Sequence, residues 1–182
     1  MSRISIPTVL QSVEASKPLL AAVQKSLGVT PNLMKLVGHS PAALEGYLSL
    51  NAAVGKGKLS AQLRERIALA IAEYNGCDYC LSAHDYLGQN VAKLSRSELD
   101  AARDGHSEDA PTQAALRFAL KVAQTRGHVS DAELATLRLA GFDEAAVVEI
   151  VVNVALNVLT NYVNNVALTD IDFPQVNAKR AA

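Results

Sequence analysis

Apolar residues recur along this chain with the spacing of helices, and the periodic segments are separated by helix start and stop signals. A segment often begins with Ser, Thr or Asp followed by Pro, and it often ends with Gly. Pro at the first helical position loses no hydrogen bond, and Gly after the last turn accepts a left-handed backbone. No stretch shows the alternation of a strand. The pattern therefore predicts an all-α fold. The predicted helices cover about residues 30–38, 40–55, 60–75, 78–88, 109–124 and 143–168, with two more beginning at the capping-box residues Ser95 and Ser130.

Two of these helices are unusual. Residues 67–72 read IALAIA, and a helix that is apolar all round is usually buried on every side. The last helix is long enough to raise the question of a membrane span, but a polar stripe along one of its faces favours a soluble central helix. The stripe either binds neighbouring helix ends or water, or forms a subunit interface, in preference to binding a ligand. Its members are Glu149, Asn153, Asn157, Thr160, Asn161 and Asn164.

Length and composition predict one globular domain over residues 1–182, with an N-terminal arm at 1–15 and a C-terminal tail at 171–182. Apolar residues make up 49% of the chain and charged residues 19%, which is enough apolar surface for a sizeable core. The net charge of −1 gives no basis for nucleic-acid binding. The N-terminal sequence lacks the apolar run of a secretory signal, so we expect a cytoplasmic protein without a membrane partner.

The only two cysteines stand in residues 73–84, EYNGCDYCLSAH. Gly76 ends one predicted helix, so Cys77 falls near the N-cap of the next and Cys80 in its first turn, where the helix dipole favours a thiolate. His84 is one turn beyond Cys80 on the same face and can exchange its proton. The spacing predicts a base-assisted nucleophile, Cys80, with Cys77 as a more exposed resolving thiol.

A metal site is the main alternative for this stretch. Cys77, Cys80 and His84 are suitable zinc ligands, but structural zinc usually takes four, which leaves a three-ligand catalytic zinc open. A redox switch without turnover is also open. A thioredoxin-like protein is disfavoured because no βαβ pattern surrounds the two cysteines.

A carboxylate could complete the set. Glu65 precedes the apolar line of the helix that leads to Cys77, so it is either partly buried near the thiols or solvated beside Arg64 and Arg66. Periodicity alone favours the solvated position. Glu73 is the competing carboxylate.

The stretch LSAQLRERIALAIAEYNGCDYCLSAH resembles the core motif of the AhpD-like alkylhydroperoxidase and carboxymuconolactone decarboxylase superfamily. The family's glutamate falls on Glu65, its cysteines on Cys77 and Cys80, and its histidine on His84. Some members have a second histidine at the place that Tyr79 occupies here, so its relay role is missing.

The resemblance implies a compact all-helical domain with CxxC at a helix N-terminus. It further implies a thiol peroxidase acting on alkyl hydroperoxides, with Glu65 and His84 as a proton relay. A dithiol reductant or reductant protein would reset the pair, no haem, flavin or metal would be needed, and the chain would form a homotrimer or homohexamer. Lactone decarboxylation is disfavoured, because decarboxylase members generally lack the CxxC pair.

Overall fold

The computed structural model describes residues 1–179 and confirms the all-α prediction, since no strand occurs in that range. Two short 3-10 turns, Val9–Gln11 and Glu14–Ser16, precede the helices. The helices are α1 (Lys17–Leu27), α2 (Asn32–Val37), α3 (Pro41–Val54), α4 (Ala61–Tyr74), α5 (Asp78–Asn90), α6 (Arg96–Arg103), α7 (Ala110–Thr125), α8 (Asp131–Leu139) and α9 (Glu144–Ala167).

Helix starts follow the predicted capping residues closely. Ser60 accepts a hydrogen bond from the Leu63 N–H and begins α4, and Ser95 and Ser130 form full capping boxes at α6 and α8. Each cap supplies an acceptor to an N–H that has no partner within the helix. The sequence pattern did not predict α1, because that helix begins at a lysine and a proline without a side-chain cap.

Helix α4 is the centre of the fold and packs against α5, α6, α7 and α9. Its IALAIA segment is buried on all sides, as predicted. Leu69 and Ala72 join the apolar cluster that contains the two cysteines, whereas Ile67 and Ile71 join a second cluster with α7, α8 and α9. The segment is therefore buried within one subunit, and it leaves no apolar face for a partner.

Helix α9 is long and apolar enough to cross a membrane, but half of its most apolar window is buried in the fold. Its polar stripe faces the interior, where Asn153, Asn157, Asn161 and Asn164 are at most 5% exposed. The interpretation of the stripe as a subunit interface is therefore wrong. The opposite face of α9 carries exposed apolar residues, namely Val148, Val151, Leu159, Tyr162 and Val166.

The C-terminal residues 171–179 are extended but packed, whereas the rest of the predicted tail, 180–182, lies outside the described residues. Phe173 lies edge-on against Tyr79 of α5, with ring centroids 5.9 Å apart. Glu73 and Arg103 form a partly buried ion pair at 2.7 Å, and Arg103 also donates to the Asn177 carbonyl. The N-terminal arm is anchored as well, because the Arg3 N–H donates to the Ala167 carbonyl. The C-terminal segment is thus held against α5, and the N-terminal arm is held at the end of α9.

Candidate active site

The turn between α4 and α5 places both cysteines against the core. Gly76 has φ +61, a left-handed backbone that glycine adopts without strain, and the Cys77 N–H then bonds back to the Ala72 carbonyl. Cys77 becomes the N-cap of α5, and its sulfur accepts a hydrogen bond of 3.3 Å from the Cys80 N–H. The two thiols therefore share the first turn of one helix, as the spacing predicted, and both are reduced.

Cys80 has the features of a reactive thiol. Burial alone would raise its pKa, but a hydrogen bond with Cys77, the charge of His84 and the amides of Asn164 and Asn161 lower the pKa to about 7. The Asn164 Nδ2 atom donates to the Cys80 sulfur at 3.2 Å. With this lowered pKa, a substantial fraction of Cys80 is ionised at neutral pH, unlike an ordinary cysteine. The thiolate is the nucleophilic form of cysteine.

Cys77 has the opposite character. Its hydrogen bond with Cys80, its burial and the neighbouring Cys80 charge all raise its pKa well above the ordinary range. Its side chain is fully buried, so the expectation of an exposed thiol at the helix mouth is wrong. The reason is that the turn folds the Cys77 side chain back over its own helix, into the apolar cluster with Leu69 and Leu81.

Glu65 and His84 form the third part of the site. His84 Nδ1 lies 2.8 Å from Glu65 Oε2. The His84 side chain is 23% exposed and the Glu65 side chain is 22% exposed. Burial lowers the pKa of His84, but the charge and hydrogen bond of Glu65 raise it further than burial lowers it. With Nδ1 committed to Glu65, Nε2 is the atom that remains for proton exchange. Glu65 thus lies in the partly buried position that periodicity alone disfavoured.

The competing carboxylate, Glu73, serves the fold instead. Its Oε2 accepts from Arg103, and its other oxygen accepts from the Lys179 N–H. Tyr79, in the place of the missing histidine, also has a structural role. Its hydroxyl donates to Asp172 and accepts from the Leu33 N–H, and burial raises its pKa, so it stays protonated.

A cavity of about 220 Å³ opens beside the Glu65–His84 pair. Its lining is mostly polar and includes Tyr47, Asn153 and Asn157. Burial and the charges of Cys80 and Glu65 raise the pKa of Tyr47 to about 12, so its phenol remains a donor at neutral pH. Small reactants would meet the His84 side of the site through this opening.

Asn164 is the site residue whose role the sequence did not reveal. The stripe of α9 was visible, but which element it faces depends on long-range packing. Neighbouring Asn161 is fully buried and accepts from the Asn75 amide at 2.9 Å, which ties α9 to the end of α4.

Within residues 1–179, no group of three His, Cys, Asp or Glu side chains has a metal-binding arrangement.

Comparison with known proteins gives a partial match to one family and a likeness of fold. The model of the carboxymuconolactone decarboxylase family matches residues 41–125, a range that includes Glu65, Cys77, Cys80 and His84. No curated protein sequence matches the chain.

Solved structures extend the likeness over nearly the whole chain. A peroxidase-related protein with an AhpD core from Ralstonia eutropha JMP134 superposes with a TM-score of 0.82 at 24% identity, covering 94% of this chain and 92% of its own. A peroxidase-related protein from Silicibacter sp. TM1040 gives 0.80 at 21% identity, covering 92% and 89%. The debrominase Bmp8, bound to 2,3,4-tribromopyrrole, gives 0.74 at 21% identity, covering 92% and 94%.

Proposed function

We propose that this protein, which has an AhpD-like fold and a carboxymuconolactone decarboxylase family match over residues 41–125, is a thiol-dependent peroxidase. It reduces hydroperoxides through a dithiol–disulfide cycle of Cys77 and Cys80. The observation that carries the proposal is the unequal pair of thiols. Cys80 has a pKa lowered to about 7, and a second thiol with a raised pKa lies in the same helical turn. A low-pKa thiol beside a resolving thiol is the arrangement that peroxide reduction requires.

The proposed chemistry uses only groups of the site. The Cys80 thiolate attacks one oxygen of ROOH, the O–O bond breaks, and the departing alkoxide takes a proton from His84 to leave as ROH. Cys80 is then a sulfenic acid. The Cys77 thiol attacks the Cys80 sulfur and the S–O bond breaks. The oxygen leaves as water with the proton of Cys77, and the disulfide forms. Glu65 holds the His84 ring and stabilises the imidazolium that supplies the proton.

The cavity at His84 favours small polar hydroperoxides. At about 30 Å³ for each water-sized group, 220 Å³ holds roughly seven such groups. Long-chain lipid hydroperoxides would have to leave most of their chain outside. We therefore place hydrogen peroxide and short alkyl hydroperoxides first among the substrates.

A peroxide-consumption assay tests the function. The purified protein, with dithiothreitol as reductant, is given hydrogen peroxide, tert-butyl hydroperoxide and cumene hydroperoxide, and also 2,3,4-tribromopyrrole because Bmp8 shares the fold. Steady consumption of a hydroperoxide supports the proposal. Complete disulfide formation with negligible turnover would indicate a redox switch instead, and stoichiometric zinc in protein purified without added metal would indicate a metal site.

Replacing Glu65 by Gln should lower peroxide turnover by about tenfold or more, because the proton relay loses its charge. The amide oxygen of the new side chain would still accept from His84 Nδ1, so the fold and the ability to form the disulfide should survive. The matched control is Glu45→Gln on the exposed surface of α3, which should leave turnover unchanged. Turnover of Glu65→Gln equal to that of the parent would remove Glu65 from the mechanism.

We further propose a cytoplasmic homotrimer or homohexamer. The IALAIA segment cannot provide the interface, so the exposed apolar face of α9 becomes the candidate. Light scattering at micromolar concentration should give three or six times the subunit mass. Replacing Leu159 and Tyr162 by Glu should lower that mass, because each places a charge on the buried face of an interface. A monomeric parent protein would contradict the assembly.

A further inference from the structure

The polar stripe of α9 runs from the cavity of about 220 Å³ to the Cys80 sulfur. Asn153 and Asn157 line that cavity. Asn161 follows about one turn later on the same face, and Asn164 follows one turn after that, where its amide nitrogen donates to the Cys80 sulfur at 3.2 Å. Cys80 does not line the cavity and is only 3% exposed. Along the stripe, Asn161 is therefore the amide that lies between the cavity and the reacting sulfur.

Only one end of the Asn161 amide has a hydrogen-bond partner. Its Oδ1 atom accepts from the Asn75 Nδ2 atom at 2.9 Å, which fixes the orientation of the amide. Its Nδ2 atom belongs to a fully buried side chain and has no hydrogen-bond partner within the described part of the chain. A buried donor without a partner is costly, and such an atom in a native protein calls for an explanation.

The unpaired donor of Asn161 lies beside the reacting sulfur. The Asn161 amide is close enough to Cys80 to lower the pKa of that thiol, but it does not complete a hydrogen bond to the sulfur as Asn164 does. The sulfur already has an amide donor in the reduced protein, so Asn161 Nδ2 is left for an acceptor that arrives next to the sulfur. In peroxide reduction, the atom that arrives there is an oxygen, which accepts hydrogen bonds.

We propose, on the basis of the proposed peroxidase function, that Asn161 is a further catalytic residue whose Nδ2 atom donates a hydrogen bond to the peroxide oxygen that Cys80 attacks. The Cys80 thiolate forms a bond to the oxygen that carries the hydroperoxide hydrogen, and the O–O bond breaks. The electron pair of that bond passes to the other oxygen, which takes a proton from His84 and leaves as ROH. The oxygen kept on Cys80, now a sulfenic acid, still accepts from Asn161 Nδ2.

Asn161 and Asn164 then act on different steps. Asn164 stabilises the thiolate before any peroxide arrives, because its amide donates to the sulfur itself. Asn161 aligns the attacked oxygen with the sulfur, and because the Asn75 contact already holds its amide, no reorganisation is needed when the peroxide enters. The two effects can be separated, since alkylation and peroxide oxidation both need the thiolate but only the peroxide brings an oxygen acceptor to the sulfur.

The ratio of two rates tests this role. In the Cys77→Ser background Cys80 is the only thiol, and mass spectrometry follows both its alkylation by iodoacetamide and its oxidation by hydrogen peroxide, with the sulfenic acid trapped by an excess of a dimedone-type probe. Both reactions need the thiolate, so the ratio of their rates at one pH cancels any change in the pKa of Cys80. Asn161→Ala and Asn161→Val, which is closer in size to the native side chain, should each lower the ratio of oxidation to alkylation by about tenfold or more, because the donor is lost.

Asn165→Ala is the matched control. The Asn165 amide donates to the Asn75 carbonyl at 2.9 Å, so this variant also removes a contact between α9 and the end of α4, but it keeps the Asn161 donor. Its ratio should stay within about twofold of the parental ratio, because no contact to the peroxide is lost. A parental ratio in both Asn161 variants, or an equal fall in Asn165→Ala, would overturn the role of Asn161. A Cys77→Ser protein that is alkylated but forms no sulfenic acid would overturn the peroxidase proposal, and the donor with it.

Discussion

Cys80→Ser should lower peroxide turnover by about a thousandfold or more, because it removes the thiolate that attacks the peroxide. The serine hydroxyl is nearly isosteric, so the packing against Leu69 and Leu81 should hold. The remaining thiol, Cys77, has a raised pKa and is fully buried. It should therefore give almost no sulfenic acid when peroxide is added.

Cys77→Ser should separate the first step from the second. Cys80 should still form a sulfenic acid, trapped by a dimedone-type probe and located by peptide mass spectrometry, but turnover should stop because no thiol resolves it. Serine remains a good N-cap for α5, so the helix should be retained. Rapid labelling of Cys77 in the Cys80→Ser protein would reverse the two roles. His84 would then serve the departing alkoxide alone.

The helical architecture was predictable because its signals are local. Caps such as Ser60, Ser95 and Ser130 act within three residues of themselves, and they set the helix starts in the structure as they do in the sequence. The same holds for the spacing of Cys77, Cys80 and His84 on one face of α5. The contact between Glu65 and His84 required the resemblance to a family, since periodicity placed the carboxylate in solvent.

What the sequence did not determine depends on contacts between distant segments. The stripe of α9 could face solvent, a partner or the site, and only the packing of α9 against α4 and α5 directs Asn164 to the Cys80 sulfur. Cys77 is buried because its turn is covered, although its position at a helix start suggested exposure. The C-terminal residues look like a tail by composition, yet a few hydrogen bonds to Asp78 and Ser82 hold them against α5.

The reactivity of Cys80 should depend on pH with a midpoint near 7, and Asn164→Ala should move that midpoint to higher pH. The pKa of Cys80 is lowered to about 7, so the reactive thiolate predominates above that pH and is lost below it. The Asn164 amide donates to the sulfur and favours the charged form. A hydrogen bond to a charged group is worth about 1.5–3 kcal/mol, which corresponds to a shift of at least about one pH unit.

The rate of Cys80 alkylation by iodoacetamide, measured from pH 5 to pH 10 in the Cys77→Ser background, gives this midpoint without relying on peroxidase activity. Asn157→Ala is the matched control, because Asn157 is also buried on the same stripe but donates to the Asn153 carbonyl of its own helix. Its midpoint should stay at that of the parent. At pH 7 the Asn164→Ala protein should react at least about fivefold more slowly, and the difference should vanish at pH 10, where Cys80 is ionised in both proteins. An unchanged midpoint in Asn164→Ala would mean that the thiolate is stabilised by its other neighbours without Asn164.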